Sequence, residues 1–169
     1  MASVLKVNEI QHTSGTSAIT IDSNGNVNFP VKPAFYVTRS ASYGPTTARQ
    51  QIEFDVEQID THNAWSTSSF DYTIPVAGLW YFNLTISMTS LASTYLWFGG
   101  EIYVNGGLYT DLYTNSNIGS GSGYENVNII TMRECVVGDV FTFNTQGVST
   151  GYLVNHDGKR TKALGYLIG

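Results

Sequence analysis

The chain has 169 residues, enough for one domain with a real core and an appendage. Hydrophobic residues make up 42% and aromatics 13%, yet only 12% are charged, so Ser, Thr, Asn and Gly must cover much of the surface. The net charge is −5 with no Lys/Arg cluster, which removes the attraction on which nucleic-acid binding depends.

The opening MASVLKVNEI has no cationic stretch followed by an apolar run of signal length, and no window reaches the ~18 apolar residues of a membrane span. Neither export by a cleaved signal nor membrane insertion is expected. Residues 1–32 differ from the rest. Val4-Leu5-Lys6-Val7 is a short extended piece, and Ile19-Thr20-Ile21 and Val27-Asn28-Phe29 are two β-like runs joined across Asp22-Ser23-Asn24-Gly25-Asn26. Asn-Gly favours a tight turn because both residues tolerate positive φ. The spacing does not make a calcium loop, since the glycine is fourth rather than sixth and Pro33 stands where a glutamate would close it. A lone hairpin is marginal in water. Val4, Leu5, Val7, Ile10, Ile19, Ile21, Val27 and Phe29 are therefore expected to be ordered only against something else.

Pro30 and Pro33 mark a linker, which divides the chain into 1–32 and 33–169. From Ala34 short strands are expected at 34–39, 49–56, 68–73, 76–89, 95–105, 124–134, 139–146, 150–154 and 162–168. Polar loops separate them, notably Tyr113 to Gly123, and no window has helical periodicity. The fold class is all-β, a sandwich or jelly roll. Its longest strand lies in FDYTIPVAGLWYFNLTISM, Phe70 to Met88, where Val76, Gly78, Trp80, Phe82, Leu84, Ile86 and Met88 fall on one face and Asn83, Thr85 and Ser87 on the other. Leu79 and Tyr81 break that polar face. In 95–105, Leu96, Phe98, Ile102 and Val104 share one side, and Trp97, Glu101 and Tyr103 the other. Cys135 cannot form an intrachain disulfide and, beside Val136 and Val137, is expected to pack as a small hydrophobe.

The spacing Pro75, Ala77, Gly78, Trp80, Phe82 resembles the signature of the C1q-like domain, the jelly roll shared with tumour necrosis factor. Gly138-Asp139-Val140-Phe141 is similar to the entry of a late strand in that family, and Gly165-Tyr166-Leu167-Ile168 to the ending of its last one. Ile52-Glu53-Phe54-Asp55, Asn63, Trp65 and Phe70 stand where its earlier elements fall. The resemblance runs from Pro33 to Gly169. It implies a C1q/TNF-like jelly-roll sandwich, preceded here by a short extended or β-hairpin arm. It also implies a homotrimer with the outward faces of the central and final strands at the threefold axis, and Leu79, Tyr81, Phe141, Phe143 and Tyr166 are the candidate interface residues. Some such trimers bind calcium near the axis, but no acidic cluster can be carried over, so no metal or cofactor is assigned.

Val4 to Ile10, followed by Thr13 to Val27, resembles the N-terminal module of many tailed-phage virion proteins. That resemblance implies an attachment segment on a virion component, made in the host cytoplasm.

Catalysis finds little support. His12, His62 and His156 lie in expected loops, and Asn155-His156-Asp157-Gly158 reads as a turn. Gly119 to Gly123 follows no strand into a helix, so it is no phosphate cradle. Asp55, Glu57, Glu101 and Asp111 show no spacing that pairs them across a glycosidic bond. Asn83-Leu84-Thr85 is a formal glycosylation acceptor in mid-strand, taken as incidental. The expectation is a non-enzymatic phage virion protein, a homotrimeric capsid decoration or head-fibre protein held by its first ~30 residues to other virion proteins. One alternative is a short tail-fibre tip recognising host glycan through Tyr113, Asn115, Asn117 and Tyr124, with 154–162 as a second loop. Another is a secreted C1q-like lectin or ligand.

Overall fold

The computed structural model describes residues 6–29, 32–44, 49–90, 96–116, 124–147, 152–154 and 160–169. The chain forms two compact units, Met1–Lys32 and Pro33–Gly169. In the first unit β1 (Glu9–Gln11), β2 (Ser17–Ile21) and β3 (Val27–Asn28) make an antiparallel sheet in that order. The hairpin turn is tied by Asp22, whose Oδ1 accepts from the backbone N–H groups of Asn24 and Asn26, each at 2.8 Å. The first strand falls at Glu9–Gln11, later than the Val4–Val7 piece; Val4 and Leu5 lie outside the described residues. Ile10 pairs with Ile19 and Ile21 with Val27, so these four share one face. None of this unit's described residues is buried, and Ile10, Val27 and Phe29 are exposed.

The second unit is a two-sheet sandwich. One sheet runs β12-β9-β15-β4-β6, with β14 also on β9; the other runs β11-β10-β13-β8-β7, with β5 also on β13. The first sheet's strands are β4 (Ala34–Thr38), β6 (Val56–Asp60), β9 (Gly78–Ser90), β12 (Glu125–Cys135), β14 (Tyr152–Val154) and β15 (Lys162–Leu167). The second comprises β5 (Arg49–Gln51), β7 (Trp65–Ser66), β8 (Asp71–Thr73), β10 (Leu96–Val104), β11 (Gly107–Ser116) and β13 (Val140–Gly147). Trp80, Phe82, Leu84, Ile86 and Met88 of β9 all point inward, as their alternation requires. Val76 precedes the strand and is exposed instead of sharing that face. Phe82 stacks on Phe141 with ring centroids 4.1 Å apart, and Phe35 stacks on Tyr72 at 4.1 Å, so aromatic pairs bridge the two layers.

Two glycines are fixed by their surroundings. Gly78 has φ +144, and a Cβ there would lie 2.7 Å from the Gly169 carbonyl oxygen; the chain end pairs with β9 here, Leu79 N–H donating to that oxygen. A Cβ on Gly165 would lie 2.6 Å from the Phe35 ring.

One prolonged element escapes the sequence reading. β11 extends through Ser116, so Tyr113 and Asn115 are strand residues, not loop residues. Asn105 and Gly106, with φ 52 and 77, turn β10 into β11. That turn is clasped by Asp139: its Oδ1 accepts from Asn105 Nδ2 at 2.8 Å and its Oδ2 from Val136 N–H at 3.1 Å, while Asn105 Oδ1 accepts from Val140 N–H at 2.9 Å. The β10–β11 turn and the β12–β13 connection between the two sheets are thereby joined through one carboxylate.

The hydrogen bond from Asn105 holds the Asp139 carboxyl below its ordinary value against the opposing effect of burial. A carboxyl whose pKa is lower folded than unfolded stabilises the fold above the unfolded value, and that contribution fades as pH falls through the folded one. Asp139→Asn is expected to be less stable than the parent at pH 7, with the gap closing as pH falls below about 4. Urea unfolding midpoints of both proteins from pH 7 downward check it.

Candidate functional site

Part of the outward face of the β12-β9-β15-β4-β6 sheet is apolar and aromatic, beside a polar stretch at Thr85 and Asn128. Register builds it in rows. Met132 lies opposite Tyr81, and Tyr81 opposite Tyr166. Beside them Ile130 faces Asn83, Asn83 faces Leu164, Leu164 faces Tyr36, and Tyr36 faces Ile59. Tyr81 and Tyr166 stack with centroids 5.0 Å apart. Ile130 and Met132 are each 58% exposed and Tyr166 is 44% exposed. An uncovered patch of this kind is a recognised mark of an interaction surface.

Of the interface residues expected from the sequence, Leu79, Tyr81 and Tyr166 stand on this sheet's outward side. Phe141 and Phe143 do not. Both are 0% exposed, because β13 turns its even-parity partners Thr142 and Asn144 outward and commits its phenylalanines to the inter-sheet core. Ile130 and Met132 were missed. Their signal is the same as for Leu79 and Tyr81: in Val127 to Met132, apolar residues occupy both parities of one strand.

The outward face of the other sheet is chemically different. Glu101 is 0% exposed, although it points away from the sandwich core. Its Oε2 accepts from Arg49 Nε at 2.7 Å and Tyr103 Oη at 3.1 Å, and its Oε1 from Arg49 Nη2 at 2.9 Å. The Tyr113 hydroxyl lies 3.0 Å from Glu101 Oε1 and 2.9 Å from Gln146 Oε1, and Arg49 Nη2 also donates to Gln146 Oε1 at 3.0 Å. The Tyr113 phenol is held well above its ordinary pKa, first by partial burial and then by Asp111 and Glu101; it therefore stays a donor. Tyr103 is raised for the same reasons, burial first. Folding does bring Glu101 and Asp111 opposite one another, which their sequence spacing did not reveal. Both Glu101 oxygens are engaged by cationic and phenolic donors.

The remaining candidates are dispersed. Tyr124 is exposed just ahead of β12, with the Arg160 guanidinium 4.0 Å above its ring. Asn117 and His156 lie outside the described residues. His12 bonds Ser14 and His62 bonds Thr61, each a local contact. The sequence motif residues Pro75, Gly138 and Asp139 mark the entries to β9 and β13. Among the described residues no three His, Cys, Asp or Glu side chains gather as metal ligands, and no helix is long and apolar enough to cross a membrane.

Two antiparallel sheets packed face to face around this aromatic core define a jelly-roll sandwich of the C1q and tumour-necrosis-factor type. The sequence matches the C1q domain over residues 34–121, more than half of the chain, and the chain belongs to that family. The structure is similar to the globular domain of zebrafish complement 1qA protein, with a TM-score of 0.59 at 19% identity, covering 82% of this chain and 98% of that one. It is also similar to murine APRIL, with a TM-score of 0.57 at 6% identity, covering 81% and 99%. At these identities the likeness is one of fold. Among curated protein sequences none matches this chain.

Cys135 is buried, and burial together with the Asp139 charge pushes its thiol up to about 11. Thiol-reactive dye at pH 7.5 is expected to label the native protein at least ~10-fold more slowly than the urea-unfolded chain, because the reactive thiolate is scarce and shielded. Equal labelling rates would show Cys135 to be an accessible nucleophile.

Proposed function

We propose that this protein is a non-enzymatic trimeric binding protein whose C1q domains associate through the outward face of the β12-β9-β15-β4-β6 sheet. The observation that carries the reading is the row Met132–Tyr81–Tyr166 with Ile130 beside it, exposed on an otherwise finished sandwich. Closing three copies into a ring needs a patch that meets a different patch on the neighbour. An apolar sheet face flanked by the β12 edge, where Ile130 and Met132 sit, offers both halves. Each aliphatic or aromatic side chain fully covered there contributes about 1.5–3 kcal/mol, so a few per copy suffice for a stable ring.

The finer part of the proposal is that the trimer is a phage virion component, a capsid decoration or head-fibre protein anchored by its first unit. It is supported by the resemblance of Val4–Ile10 and Thr13–Val27 to tailed-phage attachment modules. The small β1–β3 sheet adds to this, because its one apolar face has too few residues to fold around. The same N-terminal wording favours a virion over a secreted ligand of the same fold.

Light scattering on the full chain should give three times its 18.5 kDa mass. Tyr81→Ser combined with Met132→Lys should give a folded monomer at micromolar concentration, and a wild-type monomer would remove the trimer reading. Gold-labelled antibody against the protein should decorate the heads of purified phage particles. Label confined to tails would favour the host-recognition reading, and unlabelled particles would remove the virion assignment.

A further inference from the structure

The face opposite the proposed trimer surface holds a cluster that self-association leaves unexplained. On β10 the residues that alternate outward are Trp97, Gly99, Glu101 and Tyr103. Gly99 is directly opposite Tyr113 on β11 and Gln146 on β13. A Cβ at Gly99 would lie 2.3 Å from Tyr113 Cδ1, so the Tyr113 ring lies flat over the bare glycine. Its hydroxyl is then fixed above the strand by Glu101 and Gln146. Trp97 meets that ring edge-on, with centroids 5.8 Å apart and planes at 75°. Despite these contacts, Trp97 is 39% exposed and Tyr113 is 40% exposed. A large amphipathic ring pair is thus left open.

The polar groups around the rings select what can sit on them. The charges of Arg49 and Glu101 cancel through a two-point contact, and the Asp111 carboxylate opposite Glu101 means that the cluster offers no uncompensated cation to an anionic ligand. The Gln146 amide turns its oxygen to Arg49 and Tyr113, and neither its nitrogen nor the Trp97 indole N–H takes a partner among the described residues. Both remain donors. Exposed aromatic faces beside neutral amide and indole donors match the two surfaces of a pyranose: an apolar face of C–H bonds and an equatorial rim of hydroxyls.

We infer that Trp97, Tyr113 and Gln146 form a shallow subsite for a neutral sugar, held in place by the pairing of the buried Glu101 with Arg49. Trp97 supplies the stacking face and Gln146 and the indole the donors. Glu101, Arg49 and Tyr103 act as positioning residues. An anionic sugar has no uncompensated cation to meet here, so neutral hexoses and N-acetylhexosamines are the expected class. The subsite lies on one chain and exists whether or not the trimer forms. A trimer adds only avidity, three weak sites acting on one repetitive glycan.

The molecule carries its own reporter. Trp65 and Trp80 are buried in the core, so Trp97 is the tryptophan that a ligand can touch. The full chain is titrated with glucose, galactose, mannose, N-acetylglucosamine and N-acetylgalactosamine, and tryptophan emission is followed. The expected result is a saturable blue shift for at least one sugar, with a Kd of about 1–10 mM, as a single shallow contact gives. Trp97→Ala should abolish the response and Trp97→Phe should keep binding, seen as amide shifts in β10, β11 and β13. Gln146→Ala should weaken it at least ~5-fold. Overturning results are a flat titration for every sugar, a response that survives in Trp97→Ala, or a saturable response to sialic acid alone. Because the titration does not require a trimer, a monomer that binds sugar would refute the assembly while leaving this site intact.

Discussion

Phe82 stacked on Phe141 is the contact on which the arrangement of both sheets depends. It joins the first half of β9 to the start of β13, and around it Trp80, Phe35, Tyr72 and Phe143 interlock across the two layers. Side chains in a strand alternate with period two, so fixing Phe82 inward fixes Tyr81 outward without further choice. The same holds on β13, where burying Phe141 and Phe143 sends Thr142, Asn144 and Gln146 to the opposite surface. Both external faces are therefore set by the core. A slip of one residue would expose Phe82 in β9, or Phe141 and Phe143 in β13, and either change opposes folding.

The Gly99-Gly100 pair serves the two layers at once. A Cβ on Gly100 would lie 2.7 Å from Ile86 and 3.2 Å from Ile129, so its absence lets the opposite sheet close down. Gly99, one residue earlier, faces outward and admits the Tyr113 ring. Glycine weakens a strand when it has nothing to pack. Here each one is covered by a neighbour's side chain, so the space it leaves is filled and the strand keeps its ladders on both sides.

Much of the fold was legible because alternation and turn chemistry agree along most of the chain. The run from Trp80 to Met88 identifies its buried face directly, and the aromatic-Pro-Ala-Gly-Trp-Phe spacing places it in the family. Two misreadings have physical reasons. Phe141 and Phe143 are large apolar residues at alternate positions, and alternation alone does not say which of a strand's faces meets the core. The partner sheet decides that. β11 was read as polar loop because Thr110, Asp111, Thr114 and Asn115 dilute its apolar residues, although Asn105-Gly106 announced a hairpin. Missing that strand hid the pairing of Gly99 with Tyr113. Charge balance at Glu101 was equally invisible, since Arg49 lies 52 residues away in sequence.

The Arg49–Glu101 ion pair and the exposed apolar row answer different demands. With Glu101 buried and Arg49 half exposed, the pair gains little net stability, because solvent screens the attraction and desolvation of the carboxylate offsets it. Arg49 and Glu101 are therefore poor candidates for holding the sandwich together, a task the aromatic core already performs. Their distinct effect is geometric: two charge-assisted contacts fix β5 against β10 and give the phenols of Tyr103 and Tyr113 a common acceptor. The Ile130–Met132–Tyr81–Tyr166 surface has no such internal partners and gains free energy only when something covers it. One outer face is thus complete in the single chain and the other incomplete. Covering the incomplete face would leave the complete one open to solvent.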